Sequence, residues 1–268
     1  MFFIDPPFGN YLKLDGCIPI KGSYTLEPRS GLIMQVFKTL RYSFSYGGWI
    51  NKIGLRNPGL DYAIQKYKEN LEVGGGEEVV SIAICDKIEI HKIISKIPED
   101  MNIEINVSCP NHSIFRVSEK LDSDIGFDEN GLERFLNKKR KWCIIKLSPI
   151  EKFDVIDFYY KIGFRQFHCS NTFPMCKCIA NNVGGSEVGG RGVNAGGLSG
   201  SFLIPYTSKL ITYLKKKEGV EIIAGGGVRN VDDAEGYKRL GADHISASTL
   251  FFNPFLAGWF YWRYIFHQ

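Results

Sequence analysis

Short apolar strands alternate with amphipathic helical stretches through most of the chain. This alternation constrains the fold more than any other feature of the sequence. Strands are predicted over 17–24, 79–84, 102–107, 142–147, 166–169, 220–224 and 244–247, and helices over 87–97, 129–140, 152–162, 201–217 and 231–240. The later strands do not alternate strictly with polar residues, which is typical of strands buried on both faces. Repeated strand–helix units of this kind predict an α/β fold with a parallel sheet.

Polar segments follow five successive strands, at 106–111, 146–149, 169–172, 225–227 and 248–249. A barrel gathers the carboxyl ends of its strands around one mouth, where barrel active sites lie, whereas an open doubly wound sheet spreads them along an edge. We therefore predict a (β/α)8 TIM barrel, with residues 1–268 forming a single domain. The open sheet is the alternative.

Charge and composition argue against several functional classes. The net charge of +4 comes from 33 basic and 29 acidic residues, and the basic runs 138–141 and 215–217 lie at predicted helix ends, so no nucleic-acid partner is expected. No run reaches the ~20 apolar residues that a membrane span needs. The first residues show no basic, apolar leader, and the seven cysteines have no regular spacing, which predicts a cytoplasmic protein without a metal site.

A glycine triplet, Gly225–Gly227, lies between a predicted strand and a predicted helix. Glycines let backbone N–H groups approach an anion, and the positive end of the following helix dipole favours it further. Ser248 and Thr249 end the next strand, and the loops after the last two strands of a barrel commonly bind phosphate. The segment is predicted to bind a phosphate, and ordinary tight turns are the alternative.

Lys146 interrupts an otherwise apolar strand, and a lysine there needs an anionic or polar partner unless it reaches water at the strand end. The electron-rich edge of a reduced flavin is such a partner.

Cys109 ends a strand and is a candidate base, although a buried structural thiol is the alternative. Four amides, Asn51, Asn106, Asn111 and Asn171, fall near strand ends and together could bind a ring with C=O and N–H groups.

Several segments, taken together and in order, resemble the dihydroorotate dehydrogenases, which are FMN enzymes on a (β/α)8 barrel. The segment 106–111, Asn-Val-Ser-Cys-Pro-Asn, is similar to the family signature, and its cysteine resembles the soluble class. Residues 21–31 are similar to a Lys-Ser-x-Thr-Leu-Glu stretch, and 51–59 to an Asn-x-x-Gly-Leu-x-Asn segment. Further matches are 146–149, 171–172, 196–200, 226–227 and 248–249.

The resemblance implies that the chain oxidises dihydroorotate to orotate in pyrimidine biosynthesis. Cys109 would take a proton from C5, and a hydride would pass from C6 to N5 of FMN. The implied substrate-binding residues are Lys21, Asn51, Asn106, Asn111, Asn171 and Thr172. The implied FMN-binding residues are Lys21, Ser23, Asn106, Lys146, Gly200, Gly226, Gly227, Ser248 and Thr249.

Some features depart from the family. Only about 20 residues precede the Lys21 segment, so the first strand–helix unit is expected to be missing or degenerate. Two further interpretations follow: an FMN oxidoreductase acting on another dihydropyrimidine or enone-like compound, and a degenerate barrel without catalysis. The electron acceptor is open. The aromatic stretch 251–266 either covers the barrel or forms a subunit contact, which leaves a homodimer open.

Overall fold

Eight parallel strands close into a barrel in the computed structural model, which describes residues 1–86, 88–107, 129–137, 139–175 and 196–266. Around the barrel they follow the order β1 (Phe2–Ile4), β12 (His244–Ala247), β11 (Glu221–Ala224), β8 (Gln166–Cys169), β7 (Cys143–Leu147), β6 (Ile103–Asn106), β5 (Val79–Ala83) and β2 (Cys17–Tyr24). β1 pairs in parallel with both β2 and β12, so the sheet has no open edge. This confirms the predicted barrel and excludes the open sheet.

Most of the described helices pack on the outer face of the barrel, where apolar side chains of strands and helices form the larger core. These are α2 (Leu60–Glu72), α3 (Glu89–Lys96), α4 (Glu129–Glu133), α5 (Phe153–Lys161), α6 (Ile204–Leu214), α7 (Val231–Leu240) and α8 (Pro254–Tyr264), whereas α1 (Leu32–Thr39) has no buried residue and takes no part in that core. Of the helices predicted from the sequence, only α4 differs strongly in length: it was predicted to end at residue 140 and ends at Glu133. Beyond Glu133 the backbone N–H groups of Phe135, Leu136 and Arg140 bond three residues back, so tighter turns replace the helix.

The first barrel unit is present but degenerate. β1 has three residues, and a short 3-10 turn, Phe8–Asn10, follows it in place of a helix. Gly9 lets this turn lie against the strand ends, because a Cβ there would collide with the carbonyl oxygens of Ile4 and Ile20. The Asn10 side chain then accepts a hydrogen bond from Gly22 N at 2.8 Å. The short N-terminal segment therefore closes the barrel by itself.

A second, antiparallel sheet is formed by β3 (Arg41–Ser43), β4 (Gly48–Asn51), β10 (Gly196–Gly200) and β9 (Phe173–Met175), in that order. β3 and β4 pair as an antiparallel hairpin that contains Trp49. Phe173, Leu198 and Leu203 give the sheet a small core of its own. Because β9 follows β8 directly, the sheet lies beside the carboxyl ends of the barrel strands.

The C-terminal helix α8 covers part of the barrel. Phe260 and Tyr264 contact Phe2 of β1, with ring centroids 5.2 and 6.1 Å apart, and both are buried. Trp259 and Trp262 are about half exposed. Covering the barrel was one of the two predicted roles of this stretch. No described helix combines the length and the apolar character that crossing a membrane requires.

Candidate active site

A cleft of about 400 Å³ lies between the carboxyl ends of the barrel strands and the antiparallel sheet. One wall is apolar and is formed by α1 and the hairpin, through Leu32, Val36, Leu40, Trp49 and Ile53. The opposite side is polar and is formed by strand ends. An apolar wall facing a few convergent polar groups is the usual composition of a small-molecule site.

Nine of the predicted site residues line this cleft. They are Asn51, Lys146, Asn171, Thr172, Gly200, Gly226, Gly227, Ser248 and Thr249. They come from six different strands or strand ends, far apart in the sequence. The predicted gathering of distant segments at one rim is therefore what the structure shows for these residues. Cys109 and Asn111 lie outside the described residues.

Two further predicted residues, Asn106 and Ser23, lie one and two hydrogen bonds behind the cleft surface. The Asn171 side chain donates to Asn106 Oδ1 at 3.1 Å, and the Asn106 side chain donates to Ser23 Oγ at 2.9 Å. Asn171 is also fixed through its backbone, which donates to the carbonyl oxygen of Leu147 at 2.8 Å. These bonds hold the amides of β6 and β8 in one orientation, which is the preorganisation that recognition of a planar ring requires.

Lys21 is not brought to the cleft. It lies beside Val80 in the register of β2 and β5, and Val80 belongs to the outer core. Its Nζ pairs with Glu78 Oε2 at 2.6 Å. The register of β2 shifts between Lys21 and Tyr24, where this chain has one residue more than the Lys-Ser-x-Thr stretch that it resembles. The shift turns Ser23 toward the barrel interior and leaves Lys21 facing outward.

The glycine loop is held tightly from behind. Gly226 and Gly227 have φ values of +84° and +90°, which favour glycine. A Cβ on Gly227 would lie 2.8 Å from Ile204 Cγ1, and the Tyr237 hydroxyl donates to Gly226 O at 2.7 Å. The backbone therefore lies close to α6 and α7 on one side and borders the cleft on the other.

The helix that follows the glycine loop does not contribute as predicted. The Asn230 side chain accepts a hydrogen bond from Asp233 N, and Asp232 and Asp233 both lie in the first turn of α7. These groups already cap and compensate the positive end of the helix dipole. An anion in the cleft would therefore depend on the backbone of the loop and on Ser248 and Thr249.

A buried charged cluster lies beneath the cleft, inside the barrel. Glu104 Oε1 is 3.3 Å from Lys146 Nζ, and Glu104 Oε2 is 2.5 Å from His168 Nδ1. On the other side of the ring, His168 Nε2 is 2.7 Å from Ser246 Oγ and 3.4 Å from Asp5 Oδ2. Ser246 donates to the same oxygen of Asp5 at 3.0 Å. The chain of contacts thus crosses the barrel from β7 to β1.

The cluster replaces an apolar layer. Below it the barrel interior is filled by the apolar side chains of Phe3, Ile18, Ile20, Val79, Trp142, Ile144 and Ile223. Ser81 extends the cluster by donating to Glu104 Oε1 at 2.7 Å, and Ser81 contacts Ser23 at 2.9 Å. The cluster is therefore continuous with the amides that border the cleft. Gly225 makes room for it, because a side chain there would collide with Ser246 and approach His168.

Electrostatics favour the charged forms of Asp5, Glu104 and His168. Burial alone would raise the pKa values of Asp5 and Glu104, but His168 and Lys146 outweigh burial and lower both, that of Asp5 to about 2. Burial likewise opposes a charged His168, but the carboxylates of Asp5 and Glu104 raise its pKa above the ordinary value. Two cations and two carboxylates therefore balance inside the barrel.

The sequence analysis missed Asp5, Glu104 and His168. The signal that identified Lys146, a charged residue inside an apolar strand, also applies to Glu104 between Ile103 and Ile105 and to His168 after Phe167. Asp5 carries a weaker signal, because it follows only four apolar residues. What the sequence does not reveal is that all three face the interior and contact one another.

Comparisons with known proteins agree with the geometry. A family model described as dihydroorotate dehydrogenase matches residues 8–257. The catalytic subunit of dihydroorotate dehydrogenase B (NAD(+)) from Enterococcus faecalis is 29% identical over 274 residues, covering 93% of this chain and 79% of that protein. The same subunit from Petrotoga mobilis is 29% identical over 251 residues, covering 90% and 78%. A crystal structure of DHODH from Eimeria tenella in complex with ferulenol shares the fold, with a TM-score of 0.58 and 19% identity, covering 84% of this chain and 68% of that one.

Proposed function

The chain belongs to the dihydroorotate dehydrogenase family, and on that premise we propose that it oxidises dihydroorotate to orotate with FMN as cofactor. Family membership makes it an oxidoreductase. The observation that supports the finer proposal is the convergence of Asn51, Asn171 and Thr172 with Lys146 and the glycine loop in one cleft. A small planar substrate needs amide and hydroxyl groups, a flavin needs a cation and a phosphate-binding loop, and catalysis needs the two sets side by side.

The cleft fits a flavin in size and chemistry. Its volume of about 400 Å³ lies in the range of small-molecule sites. Trp49 and its neighbours in the apolar wall offer a flat surface to a ring system, and Trp49 is itself stacked on Phe252 with ring centroids 4.5 Å apart. The loop at Gly226 and Gly227, with Ser248 and Thr249, would hold the phosphate. Lys146, held by Glu104, would face the electron-rich edge of the ring.

When bound, FMN supplies the acceptor for the two electrons that leave dihydroorotate. Cys109 is proposed to remove the C5 proton, so that the C5–C6 double bond forms as the hydride leaves C6. The amides of Asn51 and Asn171 would orient the pyrimidine ring by its C=O and N–H groups, while Asn106, behind the surface, keeps Asn171 in place. Asn111 is proposed to complete the amide set.

A visible absorption spectrum of the purified protein tests the proposal. We expect a yellow protein, or a colourless apoprotein that turns yellow with FMN, and anaerobic dihydroorotate should bleach it. The name of the relatives makes NAD⁺ the first electron acceptor to try in turnover. A protein that binds no FMN, or that keeps its colour with dihydroorotate, would overturn the corresponding part of the proposal.

The position of Lys21 supports a second candidate, oxidation of an uncharged dihydropyrimidine. With Lys21 on the outer face, Lys146 is the only lysine or arginine that lines the cleft within the described part of the chain, and it is paired with Glu104. The carboxylate of dihydroorotate then has no second cation there, whereas an uncharged ring does not need one. Anaerobic bleaching by dihydrouracil but not by dihydroorotate would select this candidate.

A further inference from the structure

Asp5 lines the cleft, and one of its two carboxylate oxygens has no partner among the described residues. The residue is 7% exposed and lines the cleft. Its Oδ2 contacts Ser246 and His168, but its Oδ1 is buried and has no hydrogen-bond partner among the described residues. A buried acceptor without a partner is unfavourable, and in native proteins such an atom is usually satisfied by a ligand or an ordered water molecule.

The surroundings of Asp5 hold it in place and keep it ionised. Its backbone N–H donates to Ala247 O at 2.9 Å, which fixes the end of β1 against β12. On the side away from the cleft, the His168 ring joins Asp5 to Glu104. The carboxylate is therefore a fixed anion at the cleft, and it belongs to the same cluster as Lys146, the cation proposed to face the flavin ring.

The family model does not cover this residue, because its match begins at residue 8. Asp5 closes the degenerate first unit of the barrel, where this chain departs from the family pattern. A carboxylate repels a phosphate, so the ring system of the cofactor is a more favourable partner for Asp5 than its phosphate.

We propose that Asp5 is a flavin contact: its carboxylate accepts a hydrogen bond from an N–H group of the flavin ring, and its charge opposes that of Lys146. This inference rests on the proposed binding of FMN, but it does not depend on the substrate. The fixed anion disfavours the electron-rich reduced flavin, while Lys146 favours it. The pair therefore sets how easily the bound flavin is reduced.

The test compares Asp5→Asn and Asp5→Ser with the wild-type protein by two measurements that need no substrate. FMN titration of the apoprotein should show at least tenfold weaker binding for Asp5→Ser, because the serine hydroxyl is shorter than the carboxylate and carries no charge. Equilibration with a redox dye should show reduction of the bound flavin at least tenfold more favourable in Asp5→Asn. For a two-electron couple this corresponds to about 30 mV.

His244→Asn is the matched control. It removes a second imidazole–carboxylate contact, His244 Nε2 to Glu221 Oε1 at 2.6 Å, whose residues do not line the cleft. It should leave both measurements unchanged. If the wild-type protein binds FMN and both Asp5 variants match it in affinity and potential, the Asp5 contact is wrong while the proposed function stands. If the wild-type protein binds no FMN, both fail. If an Asp5 variant does not fold, the other still decides the question.

Discussion

Replacing His168 by asparagine should strongly destabilise the protein. The His168 ring contacts Glu104 through Nδ1 and both Ser246 and Asp5 through Nε2, and it is fully buried. Asparagine is too short to reach both carboxylates and carries no charge. The variant would leave Asp5 and Glu104 in the interior with Lys146 as their only cation in the cluster. Removing one partner of a buried ion pair costs about 3–5 kcal/mol.

This cost converts into a measurable change in melting temperature. The entropy of unfolding is about 2.1 cal/mol/K per residue, so a chain of 268 residues has roughly 0.56 kcal/mol/K at its midpoint. The expected decrease is therefore about 5–9 °C. Differential scanning calorimetry of the flavin-free protein at pH 7 measures it without any contribution from ligand binding.

Two comparisons separate this reasoning from a general effect of removing a histidine. His244→Asn should cost about 1 kcal/mol or less, because its partner Glu221 is 35% exposed and keeps a hydrogen bond from Gln166. Adding Glu104→Gln to His168→Asn should restore part of the lost stability, since one of the uncompensated charges disappears. Equal losses for the two histidines, or a double variant less stable than His168→Asn, would refute the charge-balance account.

Three further predictions concern acid stability, the glycine loop and the base. The pKa of Asp5 is lowered to about 2, so its contribution to stability is present above about pH 4 and is lost as the pH falls toward 2. In the wild-type protein the free energy of unfolding should therefore decline between about pH 4 and about pH 2, and in Asp5→Asn this decline should be smaller. Acid titrations followed by circular dichroism measure the difference. Gly227→Ala should abolish tight FMN binding in fluorescence titrations because its Cβ would meet Ile204 and Gly200 O, whereas Gly74→Ala, which also has a positive φ but open space around it, should bind FMN like the wild type. Cys109→Ala should retain bound FMN but slow its anaerobic reduction at least 100-fold in stopped-flow absorbance, and an unchanged rate would show that another group is the base.

Much of the barrel could be predicted because its strands are buried on both faces. Such strands appear as short apolar runs, and β8, β12, β2 and α7 have the bounds that the sequence suggests. The polar segments that follow these runs also identify the cleft, since the carboxyl ends of barrel strands necessarily meet. The closure by β1 was harder to predict, because three residues are too few to show a period. Its strand character depends on pairing with β2 and β12.

The direction of a side chain is where the sequence is least informative. Lys21 was expected at the cleft because it belongs to a motif, and a motif does not reveal the register of its strand. One additional residue before Thr25 accompanies a bulge, and the bulge exchanges the inward and outward positions. Ser23 consequently reaches Asn106, while Lys21 reaches Glu78. A shift of this kind is visible only in the structure.

The charge balance in the interior explains why Lys146 cannot be understood alone. If a buried lysine were paired with a carboxylate that had no other partner, the carboxylate would neutralise its positive charge, and little of that charge would act on a ligand. Here Glu104 divides its two oxygens between Lys146 and His168, and His168 in turn contacts Asp5. Buried ion pairs add little net stability compared with apolar side chains, so an apolar layer would have served the fold equally well. The reason for a charged layer therefore lies at its two ends, because Lys146 and Asp5 both border the cleft and give it a fixed cation and a fixed anion.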